Sequence, residues 1–325
     1  MKTGLVIGKF YPPHRGHKYL IETALKQVEH LTVIVCERVD QKLSGALRAE
    51  WLKEIHPGVE VLVVEDILKD DDSWAWAEYT KTFLGYIPDL IFTSEEYGER
   101  YAAFLGSSHV SVDKLRRAVP ISASQIRDNP LSCWEYLEPC VRAFFALRIC
   151  VLGAESTGTT TLARELANNY KTVWVSEFGR LYWEAKMYLS EASKWNTNEF
   201  IFIAEQQNRL EDYLAKKCNR ILFCDTDALA TCLWHERYLG FWSEKVEALC
   251  HGREYDLYLL TDADIPFVQD GTRDGEHIRL KMHERFIEEL KRRNKRFLIL
   301  SGKREKRMEK AVSACAQLLK TPKPW

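Results

Sequence analysis

No Cys-x-x-Cys pair occurs in this chain of 325 residues, and its nine cysteines are scattered singly, several inside apolar runs (Cys36, Cys150, Cys224). An odd, dispersed set excludes a disulfide framework and points to reduced thiols, hence to a cytoplasmic protein. Most of these thiols read as small buried hydrophobes. No apolar run is long enough to span a bilayer. The start, MKTGLVIGKF, leads into a strand-like segment without the apolar stretch and cleavage site of a signal peptide, so no membrane partner is expected. Neither sign of charge is in excess, with 46 Lys and Arg against 47 Asp and Glu. No basic stripe therefore advertises a nucleic-acid partner. Internal repeats and low-complexity tracts are also missing.

What the chain does have is alternation. TGLVIG, LTVIVCE, VEVLVVED and DLIFTSE are short β-branched runs separated by helical patterns, one of them marked by Leu20, Ala24, Leu25 and Val28. A second series runs LRICVLG, KTVWVSE, NRILFCD, YDLYLLT and KRFLILS. Strands alternating with helices predict an α/β fold twice over, two doubly wound parallel sheets with helices on both faces. The bridge DNPLSCWEYLEPCVRAFFAL carries Pro130 and Pro139, which puts one domain at residues 1–146 and the other at 147–325.

The first glycine turn, GKFYPPHRGHKYLI, sets Gly8, Lys9 and Phe10 at the end of a strand. His14 and His17 follow, with Gly16 between them at a helix start. Three residues is nearly one helical turn, so both imidazoles can face one ligand, and the helix-start N–H groups suit nucleotide phosphates. Gly16 allows close backbone approach. A metal pair would need a third ligand, which this turn does not supply; two surface histidines are the bland alternative. The whole pattern, G-x-F-x-P-x-H-x-G-H, resembles the nucleotidyltransferases of the H-x-G-H type. In that family a second element, here ISASQIR (Ile121 to Arg127), closes the domain. The resemblance implies that Ser122, Ser124 and Arg127 join the nucleotide site and that Arg127 faces the first loop across the switch point of the sheet. A Ser before a helix can equally be an N-cap.

A second loop, GAESTGTTT, lies between a strand and a helical pattern. Gly153 and Gly158 have phosphate-loop spacing, Glu155, Ser156 and Thr157 lie between them, and Thr159, Thr160 and Thr161 follow. Thr160 holds the hydroxyl position that ligates Mg²⁺, whereas Thr159 stands where the loop lysine belongs. Backbone N–H groups carry most of the binding in such loops, so ATP binding should survive and phosphoryl transfer is the open point. Compensating charge is expected from Arg180, Arg273 or the basic tail GKREKR. Asp225, ending the run RILFC, is the candidate acidic partner of Mg²⁺. Glu177 resembles the proton acceptor of related small-molecule kinases, and Asp227 is a second candidate for that task. Arg273 lies in a glycine-flanked loop suited to closing over phosphates.

From Gly4 to about Arg307 the chain resembles the NadR-type bifunctional proteins, with further matches at DDDSWAWAEY, VSEFGR, CDTD and QDGTRDG. The resemblance implies NMN adenylyltransferase activity in the first domain and ribosylnicotinamide kinase activity in the second. NMN, ribosylnicotinamide, ATP and NAD would be the small-molecule partners, with ATP as co-substrate and Mg²⁺ as cofactor. It also implies that Trp76 stacks on nicotinamide, a flat π surface for a cationic ring. The helix-turn-helix that repressor members carry before the first strand is not expected, which disfavours a repressor. Two rivals stay open: a second domain that only senses nucleotide, and an adenylyltransferase for a phosphopantetheine or sugar phosphate. Oligomeric state, a homo-oligomer included, does not follow from the sequence.

Overall fold

The computed structural model describes residues 1–69, 71–271, 273 and 275–321. Positions 70, 272 and 274, which belong to the segments DDDSWAWAEY and QDGTRDG, and the last four residues of the 147–325 span lie outside the described residues. Ten strands form two five-stranded sheets. The first holds β1 (Thr3–Gly8), β2 (His30–Glu37), β3 (Glu60–Glu65), β4 (Leu90–Thr93) and β5 (Ser108–Ser111), in the order β3-β2-β1-β4-β5. The second holds β6 (Leu147–Gly153), β7 (Trp174–Val175), β8 (Ile221–Asp225), β9 (Leu257–Thr261) and β10 (Phe297–Leu300), in the order β10-β9-β6-β8-β7. Among the described residues, every pairing between these strands is parallel.

The strand sequences explain why. In β1 and β2, Leu5, Ile7, Ile34 and Cys36 pack into one apolar layer. Their neighbours Val6, Val33 and Val35 pack into another, with Leu20, Ile21 and Ala24 of the helix Arg15–Leu25. A strand apolar on both faces must be covered on both, which crossover helices achieve. Two expectations change. Leu25 is exposed and Val28 lies beyond the helix end, so the buried stripe is Leu20, Ile21 and Ala24. The strand β5, with sequence SHVS, carries no apolar run that would announce it; it exists because β4 offers it a pairing edge.

By chain contacts the protein divides into two compact units, the first running from Met1 through Arg142 and the second beginning at Ala143, within the helix Pro139–Phe145. Among the described residues, no helix is long and apolar enough to cross a membrane.

Candidate active sites

In a parallel sheet the loops after the strands gather at one edge, and ligands bind there where the strand order reverses. The first unit has a cavity of about 880 Å³ at this edge. Its lining includes Gly8 to Tyr11 after β1, Arg38 after β2, Asp66 after β3, Ser94 and Glu95 after β4, and Arg116 after β5. His14 and His17 stand at its centre. His14 is the N-cap of the helix Arg15–Leu25, and its Nδ1 accepts from the Gly16 N–H at 3.0 Å. That bond leaves the Nε2–H of a neutral ring as the available donor. The His17 ring stacks on His14 with centroids 3.8 Å apart, and Phe10 meets its edge at 4.9 Å. A Cβ on Gly16 would come within 2.8 Å of the His14 ring, so glycine is what allows this packing. Burial, with Arg116 adding to it, pushes His14 down to about 3. Burial and the neighbouring His14 and Arg116 charges hold His17 well below the usual histidine range. Both rings are therefore neutral donors near pH 7.

Arg127 reaches this loop: its Nη1 donates to the Tyr11 carbonyl at 2.9 Å, and its guanidinium lies over the Tyr11 ring at 5.5 Å. Its Nη2 donates to Ser124 Oγ at 2.8 Å. Ser122 lines the cavity, but its hydroxyl closes a capping box with Gln125 on the helix Ala123–Asp128. Trp76, on the helix Ser73–Leu84, lines the cavity and donates its indole N–H to the Lys69 carbonyl at 3.1 Å, whereas Trp74 is exposed and outside it. Sequence reading missed Asp66, Arg38 and Arg116. Arg116 is presented by a loop in which the Asp113 carboxylate accepts from the Arg117, Ala118 and Val119 N–H groups, an arrangement no local pattern announces.

In the second unit, β6 runs into the loop and then the helix Thr159–Tyr170. Gly158, at φ 87°, is the N-cap, and no side chain caps the helix. Its leading N–H groups are thus left for an anion. A Cβ on Gly153 would collide with the Thr157 and Thr261 hydroxyls. The side chains between the glycines hold the loop in shape. Thr157 donates to the Ala154 carbonyl at 2.6 Å, and Ser156 Oγ accepts from the Val268 N–H at 2.8 Å. Glu155 accepts from the Gly275 N–H at 2.7 Å and pairs with Arg237 at 3.3 Å. Thr161 is exposed.

Thr160 donates to Asp225 Oδ2 at 2.6 Å, while Asp225 Oδ1 is buried without a hydrogen-bond partner among the described residues. Two adjacent oxygens, one of them unsatisfied, fit Mg²⁺, which keeps most of its shell as water and phosphate oxygen. Burial raises Asp225 to about 6, against the Thr160 and Thr159 hydroxyls and Arg180. Glu177 rises to about 8 through enclosure in the cleft and the charge of Asp225. Asp270 joins the two expected compensating cations, pairing with Arg180 at 3.1 Å and Arg273 at 3.0 Å. Arg273 also donates to Ser156 Oγ at 3.2 Å. From the basic tail Arg307 reaches the loop, at the Thr157 carbonyl (2.8 Å), and it is buried.

Beside Glu177 opens a cleft of about 120 Å³ walled by Trp183, Trp195, Trp234 and Tyr238. Trp183 and Trp195 stack at 5.7 Å, and Trp195 meets Tyr238 at 5.4 Å. Sequence reading missed this aromatic box; the signal was the density of Trp and Tyr in LYWEAKMYLSEASKW and LWHERY. Asp227 must be corrected. It is buried, caps the helix Ala228–Leu239 by accepting from the Ala230 N–H at 2.8 Å, and accepts from the Tyr258 hydroxyl at 2.9 Å. Both its oxygens are engaged, and it lines a different cavity from Glu177, which turns it away from the expected substrate site.

The trifunctional NAD biosynthesis/regulator protein NadR of Escherichia coli K12 is 32% identical over 314 residues, which cover 90% of this chain and 76% of that protein. The chain belongs to the NadR family. The Salmonella typhimurium LT2 NadR is 31% identical, also over 314 residues that cover 90% of this chain and 76% of that protein. An AAA domain family matches residues 148–307. The fold is shared with a NadR protein solved in complex with NR, at TM-score 0.79 and 22% identity over 98% of this chain and 96% of that one. A NadR protein with NAD and AMP-PNP gives TM-score 0.75 and 21% identity over 99% and 97%.

Proposed function

We propose that this NadR-family chain makes NAD in two ATP-dependent steps, one in each unit. In the second unit ribosylnicotinamide is phosphorylated to NMN, and in the first NMN is adenylylated to NAD. The observation that carries this reading is the pairing, in one chain, of a neutral stacked histidine pair in a large cavity with the Thr160–Asp225–Glu177 cluster beside an uncapped helix N-terminus.

In the kinase step the primary hydroxyl of the nucleoside attacks the γ-phosphorus of ATP as the bond to the β-phosphate oxygen breaks. Glu177 takes the hydroxyl proton, for which a carboxyl with a raised pKa is matched. Thr160 and Asp225 would hold Mg²⁺, which when bound neutralises charge on the β- and γ-phosphates. Arg180 and Arg273, joined by Asp270, stand in for the missing loop lysine. The Trp183, Trp195, Trp234 and Tyr238 walls suit a cationic pyridinium ring. In the adenylyl step an NMN phosphate oxygen attacks the α-phosphorus of ATP and pyrophosphate leaves. No covalent intermediate is needed: the neutral N–H groups of His14 and His17, with Arg127, stabilise the charge that develops on the phosphates. Nine cysteines, with no disulfide among the described residues, fit a reducing cytoplasm.

Incubation with Mg-ATP and either ribosylnicotinamide or NMN, followed by separation of products, tests both steps. NMN and then NAD should form from the first, and NAD from the second. ATP binding without any NMN formed from ribosylnicotinamide would leave the second unit a nucleotide sensor.

A further inference from the structure

We infer that Lys186 is a positioning residue for the kinase step: its ammonium, with Glu199, fixes the Trp195 wall of the aromatic cleft in which the nucleoside ring binds. The inference rests on the kinase reading above. The cleft walled by Trp183, Trp195, Trp234 and Tyr238 also holds Glu177, so a nucleoside whose hydroxyl meets that carboxyl has the aromatic walls within reach of its ring. Three of these walls stand on helices, Trp183 on Phe178–Lys186 and Trp234 and Tyr238 on Ala228–Leu239. Trp195 does not. It lies in the connection from Phe178–Lys186 to the helix Thr197–Ala215, just before the N-cap Asn196. A residue there has no helical ladder of backbone hydrogen bonds to set its direction, so side-chain contacts must do so.

Lys186 supplies those contacts. Its ammonium lies over the Trp195 ring, 4.2 Å from the centroid. The same group donates to the Lys194 carbonyl at 2.7 Å and to Glu199 Oε1 at 2.6 Å. Glu199 Oε2 accepts from the Asn196 backbone N–H at 2.9 Å, and Oε1 accepts from the Tyr182 hydroxyl at 3.0 Å. The ion pair thereby grips three consecutive residues: Lys194 by its carbonyl, Trp195 by its ring and Asn196 by its N–H. Both side chains are enclosed, 10% and 13% exposed, and Lys186 does not line the cleft. Its charge is directed at the wall and not at the substrate. A buried ion pair seldom adds net stability over apolar side chains of the same size, because desolvation offsets the attraction. What it adds here is direction, since an ammonium held by two acceptors draws one face of the indole toward itself. A wall left free to turn must be ordered when the nucleoside binds, so the effect falls on binding and not on the transfer step.

The test follows NMN formation from ribosylnicotinamide in the full chain and in the double variant Lys186→Met/Glu199→Gln, which removes both charges together and leaves neither buried alone. We expect KM for ribosylnicotinamide to rise about tenfold, while kcat and KM for ATP stay within about twofold. NAD formation from supplied NMN, within about twofold of the unaltered rate, reports that the chain is folded. An unchanged KM for ribosylnicotinamide overturns the inference, and if kcat or melting temperature falls instead, the pair only supports the fold. Should the double variant not fold, Lys186→Gln decides: it still reaches the Lys194 carbonyl and Glu199 but brings no cation to the ring. A KM unchanged in that variant overturns the inference equally. Absence of NMN with the unaltered protein is a different failure, for it removes the kinase reading itself.

Discussion

Two imidazoles stacked 3.8 Å apart cannot both be charged without strong repulsion, and burial already disfavours the first proton on either. The pair therefore stands as two neutral rings near pH 7, and our reading has them donate hydrogen bonds to phosphate. His17→Ala should remove one donor aimed at the reacting phosphates, worth about 3 kcal/mol. NAD formation from NMN should then fall about a hundredfold with folding intact, as followed by product assay and circular dichroism. The same burial makes the first unit acid-sensitive. His14 has a folded value of about 3 against an ordinary 6.5, so the unfolded chain takes up the proton first as pH falls. Its contribution is fully present above pH 6.5 and is lost progressively toward pH 3. In His14→Gln this part of the acid slope should vanish from melting temperatures measured across that range. Glu177 has the opposite sign. Its folded value of about 8 lies above the ordinary 4.5, so the folded chain retains a proton and stability declines as pH rises between those values. Glu177→Gln should abolish the decline, melt at or above the unaltered protein at pH 8, and lose kinase turnover by about 10²- to 10⁴-fold. A variant that melts lower at pH 8 would refute the enclosed-carboxyl account.

The phosphate loop and the segment from 268 to 279 work as a pair. Glu155 and Ser156 tie the loop to Gly275 and Val268, and Arg279 donates to the Ser156 carbonyl at 3.3 Å. Arg273 is thereby held over the loop, the place from which we propose that its charge replaces that of a lysine. Thr159 sits beside Asp225, so an ammonium introduced there would pair with that carboxylate before reaching a phosphate. Thr159→Lys should consequently alter NMN formation by no more than about tenfold, the scale of one hydrogen bond. Arg273→Ala should lower it by about 10²-fold or more. Steady-state rates with ribosylnicotinamide decide this; a large gain from the lysine would mean that Arg180 and Arg273 do not replace it.

At the scale of the whole molecule, we assign one step to each of two compact units. Asp225→Asn should stop NMN formation from ribosylnicotinamide and leave NAD formation from supplied NMN within about twofold, since separate cores hold separate sites. Loss of both activities in a folded variant would contradict the two-site arrangement. Much of this was legible in the chain itself. The alternating β-branched runs predicted nine of the ten described strands, and the two glycine loops marked strand-to-helix turns at the two candidate sites, because strand period and turn chemistry are local properties written in consecutive residues. Tertiary structure alone decided which distant side chains meet. Asp66 and Arg116 come from opposite edges of a sheet whose order is not the order of the chain. Trp183, Trp195, Trp234 and Tyr238 form one box only after two helices and the segment leading into a third pack. Asp227, two residues from Asp225, left the site altogether, because a helix start and the Tyr258 hydroxyl turned its carboxylate into the core. Sequence spacing states where a backbone can place a residue; the direction of its side chain depends on everything packed around it.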